Sequence, residues 1–385
     1  MPPRPAFGRL TPAFWRTAGL AALIFGIGLA SGLRAWSQHV RRWGEPNIYL
    51  NYSDGLVRRG LVGEVIRLLG LPQSKPVFAA ACWAAGLLTL AILAVVAARA
   101  RHLHPATTML LVASQFLPTL AYNTGYLDPF VTLLVLLTYV FLARGWTAPA
   151  AVVAAVAPFV HEQFIFFMLP VAALLAVRLI RRERFWPHAI TFAAALLGTV
   201  VIMLLADQQA GAGLMQASPM DPYVIKGMVR DQLGQTLVSS LTYMLGFYAS
   251  TWKFALTMTL FMIAPAVLML VLNWRLLRSS PWLVTGLVGP LGLLLVAWDL
   301  SRFAVMGVFL TFVLLALADS ELLAGAEPVP SGHTATSTTV GALLALGYLM
   351  LPFIYAYPHY GYIIGTWEKW IDAFLDRPRS WPYRP

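Results

Sequence analysis

Long, uniformly apolar runs separated by polar stretches dominate the chain. They fall at about 15–33, 77–98, 106–121, 130–143, 148–160, 164–180, 188–206, 251–272, 281–298, 303–318 and 338–356. None alternates apolar with polar residues, as a barrel strand would. A hydrocarbon core of roughly 30 Å takes about 20 apolar residues per helical crossing. The pattern predicts an all-α fold, a polytopic transmembrane helix bundle of about eleven helices forming one integral membrane domain over 1–385. The polar stretches 34–76 and 207–250 read as outer-face loops carrying interfacial helices. The tail 357–385, rich in Tyr, Trp and Pro, reads as an interfacial anchor. Segment 319–337, with Ser331, Thr334, Thr336 and Ser337, reads as a flexible connector. No internal repeat is visible.

Segment 148–180 decides the parity of everything after it. It is too long for one ordinary span and tight for two. The reading adopted is two short crossings meeting at His161-Glu162-Gln163, with Pro158 and Pro170 bending the helices on either side.

Composition sharpens this picture. Of 385 residues, 59% are hydrophobic and only 11% charged, and the mean hydropathy is +0.71. A soluble domain carries about 25% charged residues, so lipid must cover much of this surface. The net charge of +11 comes mostly from arginines flanking apolar runs, which orient a chain and meet anionic headgroups. No nucleic-acid motif accompanies it, so membrane lipids and not nucleic acid are the expected partners. The lone cysteine, Cys82, excludes an internal disulfide and a cysteine zinc cluster.

Basic residues in short loops set orientation. Arg99, Arg101, Arg144, Arg181, Arg182, Arg184, Arg275 and Arg278 share one side, against Arg302 alone in the short loops of the other. This predicts a multi-pass membrane protein with the N-terminus inside and the C-terminus outside. Arg4, Arg9 and Arg16 before the first run resemble a signal peptide, but an uncleaved first crossing is expected because more spans follow. All but Glu183, Asp319, Glu321 and Glu327 of the 16 acidic residues then fall outside. The first outer loop is basic against the rule, which suggests phosphate binding there.

Four polar clusters gather on that outer side. The first loop holds Asp54-Gly55, then Arg58-Arg59-Gly60, where paired guanidinium groups suit phosphate and a carboxylate suits a general base. Leu56, Val57, Leu61, Val62, Val65, Ile66, Leu68 and Leu69 suggest a helix along the membrane surface, and the bland alternative is such an interfacial helix with its arginines on headgroups. The second outer turn offers Tyr122, Asn123 and Tyr126 for a sugar or headgroup, and Asp128-Pro129, which alternatively just starts a helix. His161 and Glu162 sit where two short helices meet, and they bind a metal, relay a proton or hold an arginine. HE alone is not HExxH. Asp299 and Arg302, three apart, either pair as a latch or orient a lipid phosphate.

With these residues in place, the chain resembles the GT-C glycosyltransferases at the level of architecture. The resemblance rests on the span number, Asp54 in the first outer loop, the surface-helix pattern after it and the later outer loop 207–250. It implies transfer of a sugar from a polyprenyl-phosphate donor to a glycan or lipid acceptor on the outer face, with Asp54 as base. Arg58, Arg59 and Arg302 would then hold the phosphate. Asp128, His161, Glu162 and Asp299 would orient sugar or acceptor, or bind a divalent cation. Departures are the missing second acid beside Asp54 and the missing soluble outer domain. The competing readings are an envelope polysaccharide polymerase or ligase, and a transporter or lipid flippase.

Overall fold

The computed structural model describes residues 12–35, 40–41, 44–100, 102–229, 237–295, 299–318, 335–351, 353–356 and 361–364. It is a helix bundle. Among the described residues, six helical segments are long and apolar enough to cross a membrane: Ala13–Leu33, Lys75–Arg99, Glu162–Ile180, Trp186–Leu205, Ala255–Leu272 and Leu300–Leu317. Four shorter apolar helical stretches lie among them, at Asp128–Ala143, Thr147–Val160, Pro281–Leu295 and Thr339–Met350. Outward faces stay apolar, with Leu23, Leu88, Leu197 and Leu204 all exposed. Such faces would be a liability in water and are the expected dress of helices in lipid. The composition and these helices are those of a multi-pass membrane protein.

The helices that frame the polar end are α1 (Pro12–Leu33), α2 (Leu61–Leu68), α3 (Lys75–Arg99), α4 (Pro105–Ala113), α5 (Phe116–Tyr122), α6 (Asp128–Ala143) and α7 (Thr147–Val160). A 3-10 turn, Glu162–Met168, leads into α8 (Leu169–Ile180), followed by α9 (Trp186–Leu205). Then come α10 (Gln208–Gln216), α11 (Pro222–Met228), α12 (Leu237–Leu272), α13 (Trp274–Ser279), α14 (Thr285–Gly292), α15 (Leu300–Leu317) and α16 (Ala335–Met350).

Helix α15 is the axis. It is apolar all round apart from its first turn, and 94% of it is buried, against α4, α5, α6, α12 and α14. Phe309 stacks on Phe116 of α5 with ring centroids 5.0 Å apart.

Two contacts fix the course of 148–180. The Tyr139 hydroxyl of α6 donates to the Phe167 carbonyl at 2.7 Å. Tyr139 lies about 16 Å along α6 from Asp128, so the chain must turn back after α7 to bring Phe167 beside it. The turn is His161, extended at φ −160° and ψ 123°. On the other side Gly198 of α9 packs so closely on α7 that a Cβ there would overlap the Ala155 carbonyl oxygen.

Three expectations change. The run 106–121 is not one helix: it breaks at Ser114, whose hydroxyl bonds the Leu111 carbonyl and receives the Phe116 amide. The run 251–272 starts fourteen residues sooner, because α12 is 36 residues long with no proline before Pro265. The loop read as 207–250 therefore ends before Leu237. The run 338–356 stops being helical at Met350. Strand β1 (Phe353–Ala356) instead pairs antiparallel with β2 (Gly361–Ile364), Phe353 opposite Ile364. Aromatic and β-branched residues favour that extended form. The rest of the tail, most of the connector, Arg230 and Asp231 lie outside the described residues.

Candidate functional site

Charged side chains from four distant parts of the chain converge at one end of the bundle. Arg302, in the first turn of α15, lies between two carboxylates. Its Nη2 donates to Asp128 Oδ1 at 2.8 Å, its Nε lies 2.8 Å from Asp128 Oδ2, and its Nη1 donates to Asp299 Oδ2 at 2.6 Å. All three residues are buried. Asn123 Nδ2 donates to Asp128 Oδ2 at 3.3 Å, and the Tyr126 ring faces the guanidinium 4.5 Å away. A charge withdrawn from water needs such partners.

Helix start alone therefore does not account for Asp128. It is the first residue of α6 and its side chain caps nothing, since the N-cap position is Leu127. Its carboxylate is committed to Arg302 and Asn123. Asp299 and Arg302 do form the latch that their spacing suggests.

The second pair is Arg59 with Glu162. Arg59 Nη2 and Nε donate to the two carboxylate oxygens at 2.5 and 3.2 Å. Arg59 has φ +63°, a left-handed conformation uncommon outside glycine. That backbone twist turns Arg59 away from the course of Arg58. Glu162 opens the 3-10 turn behind His161. The His161 ring, 4% exposed, accepts the Gln163 amide at Nδ1. His161 Nδ1 also lies 3.4 Å from Glu162 Oε2.

Among the described residues, these ion pairs set the two guanidinium groups of Arg59 and Arg302 against the three carboxylates of Glu162, Asp128 and Asp299. A phosphate is poorly served by either arginine there. Arg58 differs: it is half-buried, has no ion-pair partner among the described residues, and its Nε is buried without a hydrogen bond. Asp54 is exposed at a turn, also without an ion-pair partner among the described residues.

The rest of the first loop is braced from both sides. Glu64 in α2 accepts the Tyr52 amide at 3.0 Å and Arg67 Nε and Nη2 at 2.9 and 2.6 Å. The Arg67 guanidinium holds the Glu64 carboxyl below the usual carboxylate range. Val65, Leu68 and Leu69 of α2 face outward, while Val62 and Ile66 face the core. Val57 and Leu50 pack under Met215, Met220 and Val224 of the α10–α11 segment, and the Asp207 amide donates to the Leu56 carbonyl at 2.6 Å. Asp207 and Asp221 cap α10 and α11. Segment 207–229 thus covers the loop that carries Asp54 and Arg58.

Tyr122 is placed differently from the other candidates. The Arg41 guanidinium lies 3.5 Å from its ring centroid, and Arg41 Nε donates to the Tyr122 carbonyl at 3.1 Å. Among the described residues no group of three or more His, Cys, Asp and Glu forms a metal-ligand cluster. Arg41 was not among the residues expected to line a site, whereas Tyr126 was offered with its turn and lies over the Arg302 guanidinium. Arg41 had no signal beyond the unusual basicity of its loop.

Comparison with known protein families, with characterised proteins and with solved structures finds no match.

Proposed function

We propose that this protein is a membrane glycosyltransferase that moves a sugar from a polyprenyl-phosphate donor to a glycan or lipid acceptor at the outer face of a bacterial inner membrane. The proposal includes about eleven crossings, with four of the shorter helical stretches and the broken α4–α5 pair spanning alongside the long helices. The N-terminus is inside and the C-terminus outside.

The observation that carries this reading is the unpaired Arg58 beside the convergent polar end. Arg59 and Arg302 are occupied by carboxylates, while Arg58 keeps its charge for an anion. Asp54, four residues earlier and open to solvent, suits a base that removes a proton from an incoming hydroxyl. Glu162, His161 and Asp128 then shape the floor. The imidazole of His161 and the carboxylates beside it suit sugar hydroxyls.

The test is reconstitution in proteoliposomes with polyprenyl-phosphate sugars, comparing wild type with Asp54→Asn and Arg58→Ala. Transfer at wild-type rates in both variants removes the assignment.

A solute transporter has one observation in its favour. Helices α4 and α5 break at Ser114 and Gln115, both buried inside the bundle, and broken helices are a feature of transport sites. Substrate uptake into sealed vesicles without sugar transfer would select that reading.

A further inference from the structure

Inside the bundle, polar oxygens that the ion cluster does not use lie along α5. Pro118 is their origin: it has no amide to give the Ser114 carbonyl four residues earlier, which breaks the α4–α5 rod. The Ser114 amide and hydroxyl turn back to Leu110 and Leu111, and among the described residues no backbone amide reaches the Ser114 carbonyl. Thr119, one residue past the proline, is buried, and its Oγ1 has no hydrogen-bond partner among the described residues. The buried Thr89, Thr138 and Thr191 hydroxyls each bond the carbonyl four residues back at 2.8 Å, and that of Thr119 does not. One turn on, about 6 Å along the axis, Asn123 gives its Nδ2 to Asp128. Its buried Oδ1 is left without a partner among the described residues.

Thr119 and Asn123 share the side of α5 turned to α15. Phe116, three residues before Thr119, stacks on Phe309, and Asn123, four after it, bonds Asp128. Leu117 and Ala121 lie on the other side, against Gly32 of α1. The oxygens therefore run in a line from the ion cluster inward to the break. Oxygens left unbonded in an apolar interior are costly, and these call for a shared electropositive partner. All three are neutral. A divalent cation asks for carboxylates, and the nearest one, Asp128, is engaged by Arg302. The Arg302 charge is itself met by Asp128 and Asp299, so it does not bar an approaching cation. Carbonyls at the end of a broken membrane helix are the groups that hold monovalent cations in transporters. The C-terminus of α4 adds the negative pole of its dipole at the same point.

We propose that the α4–α5 break binds a dehydrated monovalent cation, held by the Ser114 carbonyl and the Thr119 hydroxyl. Asn123 Oδ1 is the step by which the ion enters from the outer end. The site uses neither Asp54 nor Arg58, and it stands whether or not the outer end transfers a sugar.

The test melts the full chain, purified in detergent, in sodium, potassium and choline chloride of equal ionic strength. An ion that binds only the folded state raises the melting temperature. Sodium or potassium should raise it by about 3 °C or more over choline, and the radiolabelled ion should bind saturably. Thr119→Val keeps the shape and removes the oxygen, so it should abolish both effects, while Thr119→Ser should keep them. Pro118→Ala gives the Ser114 carbonyl an amide and should weaken binding about tenfold. Thr311→Val is the control. Thr311 is also buried with its Oγ1 unpartnered among the described residues, but it lies on α15 beside Gly286 of α14, and its variant should keep the ion effect. Equal melting of the wild type in all three salts means that water alone serves these oxygens, and it overturns the inference. So does an ion effect that Thr119→Val retains, or that Thr311→Val loses to the same extent. Should Thr119→Val not fold, Pro118→Ala decides in its place, and unchanged ion binding there overturns the inference.

Discussion

Arg59 and Glu162 lie 103 residues apart in sequence, yet two hydrogen bonds join them in a half-buried ion pair. Arg59 makes this pair from a left-handed backbone. For a residue with a Cβ that conformation costs about 1–2 kcal/mol. Arg59→Gly should therefore fold more stably than Arg59→Ala, by about 1 kcal/mol, although both lose the pair. Thermal unfolding in detergent compares them directly, and equal stabilities would refute the strain.

Removing Arg302 should cost more. Arg302→Met leaves Asp128 and Asp299 buried with no cation between them, a loss of about 3–5 kcal/mol. In a double-mutant cycle, Asp128→Asn and Arg302→Gln should show a coupling of about 0.5–3 kcal/mol. Simple additivity would mean that the pair contributes nothing.

Two helical glycines should respond in opposite ways. Gly198→Ala drives a methyl into the Ala155 carbonyl of α7, and overpacking of this kind costs about 1–3 kcal/mol. Gly86→Ala meets open space and should stabilise by about 0.5–1 kcal/mol through helix propensity. Paired melting curves decide the matter.

In transfer assays Arg58→Ala should lower turnover about 10²–10³-fold, the scale for losing a donor to developing charge. Arg58→Lys should recover part of it, because a point charge remains without the planar fork. Identical behaviour of the Ala and Lys variants would argue that packing alone is lost.

The Glu64 carboxylate, with its folded pKa held down chiefly by the Arg67 hydrogen bond, gives a pH signature. A depressed carboxylate contributes stability above its unfolded pKa and loses it as pH falls through the folded value. Relative to Glu64→Gln, the wild type should keep its advantage at neutral pH and lose it below the ordinary carboxylate range. A stability difference that stays constant down to pH 3 or so would contradict the pair.

The parts of this architecture that depend on local pattern were readable in the chain. Apolar runs became helices or helix pairs, and Asp299 and Arg302 paired as i,i+3 neighbours do. His161-Glu162 does mark the turn between α7 and α8, and Glu162 does hold an arginine. Which arginine was not readable, because a contact across 103 residues leaves no local trace. The break at Ser114 was hidden for a different reason. Pro118 lacks the amide that would bond the Ser114 carbonyl and crowds that carbonyl, but it lies inside the apolar run and was not read as a break. The early start of α12 was missed because its first fourteen residues were read with the outer loop, although no proline interrupts the helix before Pro265. The roles of Arg302 and Arg59 shifted most. Sequence supplies the charges, but only three-dimensional pairing shows which of them are already spent.

The Asp128–Arg302 pair also imposes an order on biogenesis. Its halves are 174 residues apart, and a ribosome adds roughly 5–20 residues per second. Asp128 is thus made roughly 9–35 s before its cation exists. During that interval α6 holds a carboxylate that hydrocarbon rejects, and it must linger at the water boundary or take up a proton. If closure of this ion pair seats α6, the first half of the chain should complete its fold only when α15 arrives. Chains arrested before Leu300 should leave Asp128→Cys open to a water-soluble thiol reagent, and chains arrested well beyond Leu317 should not.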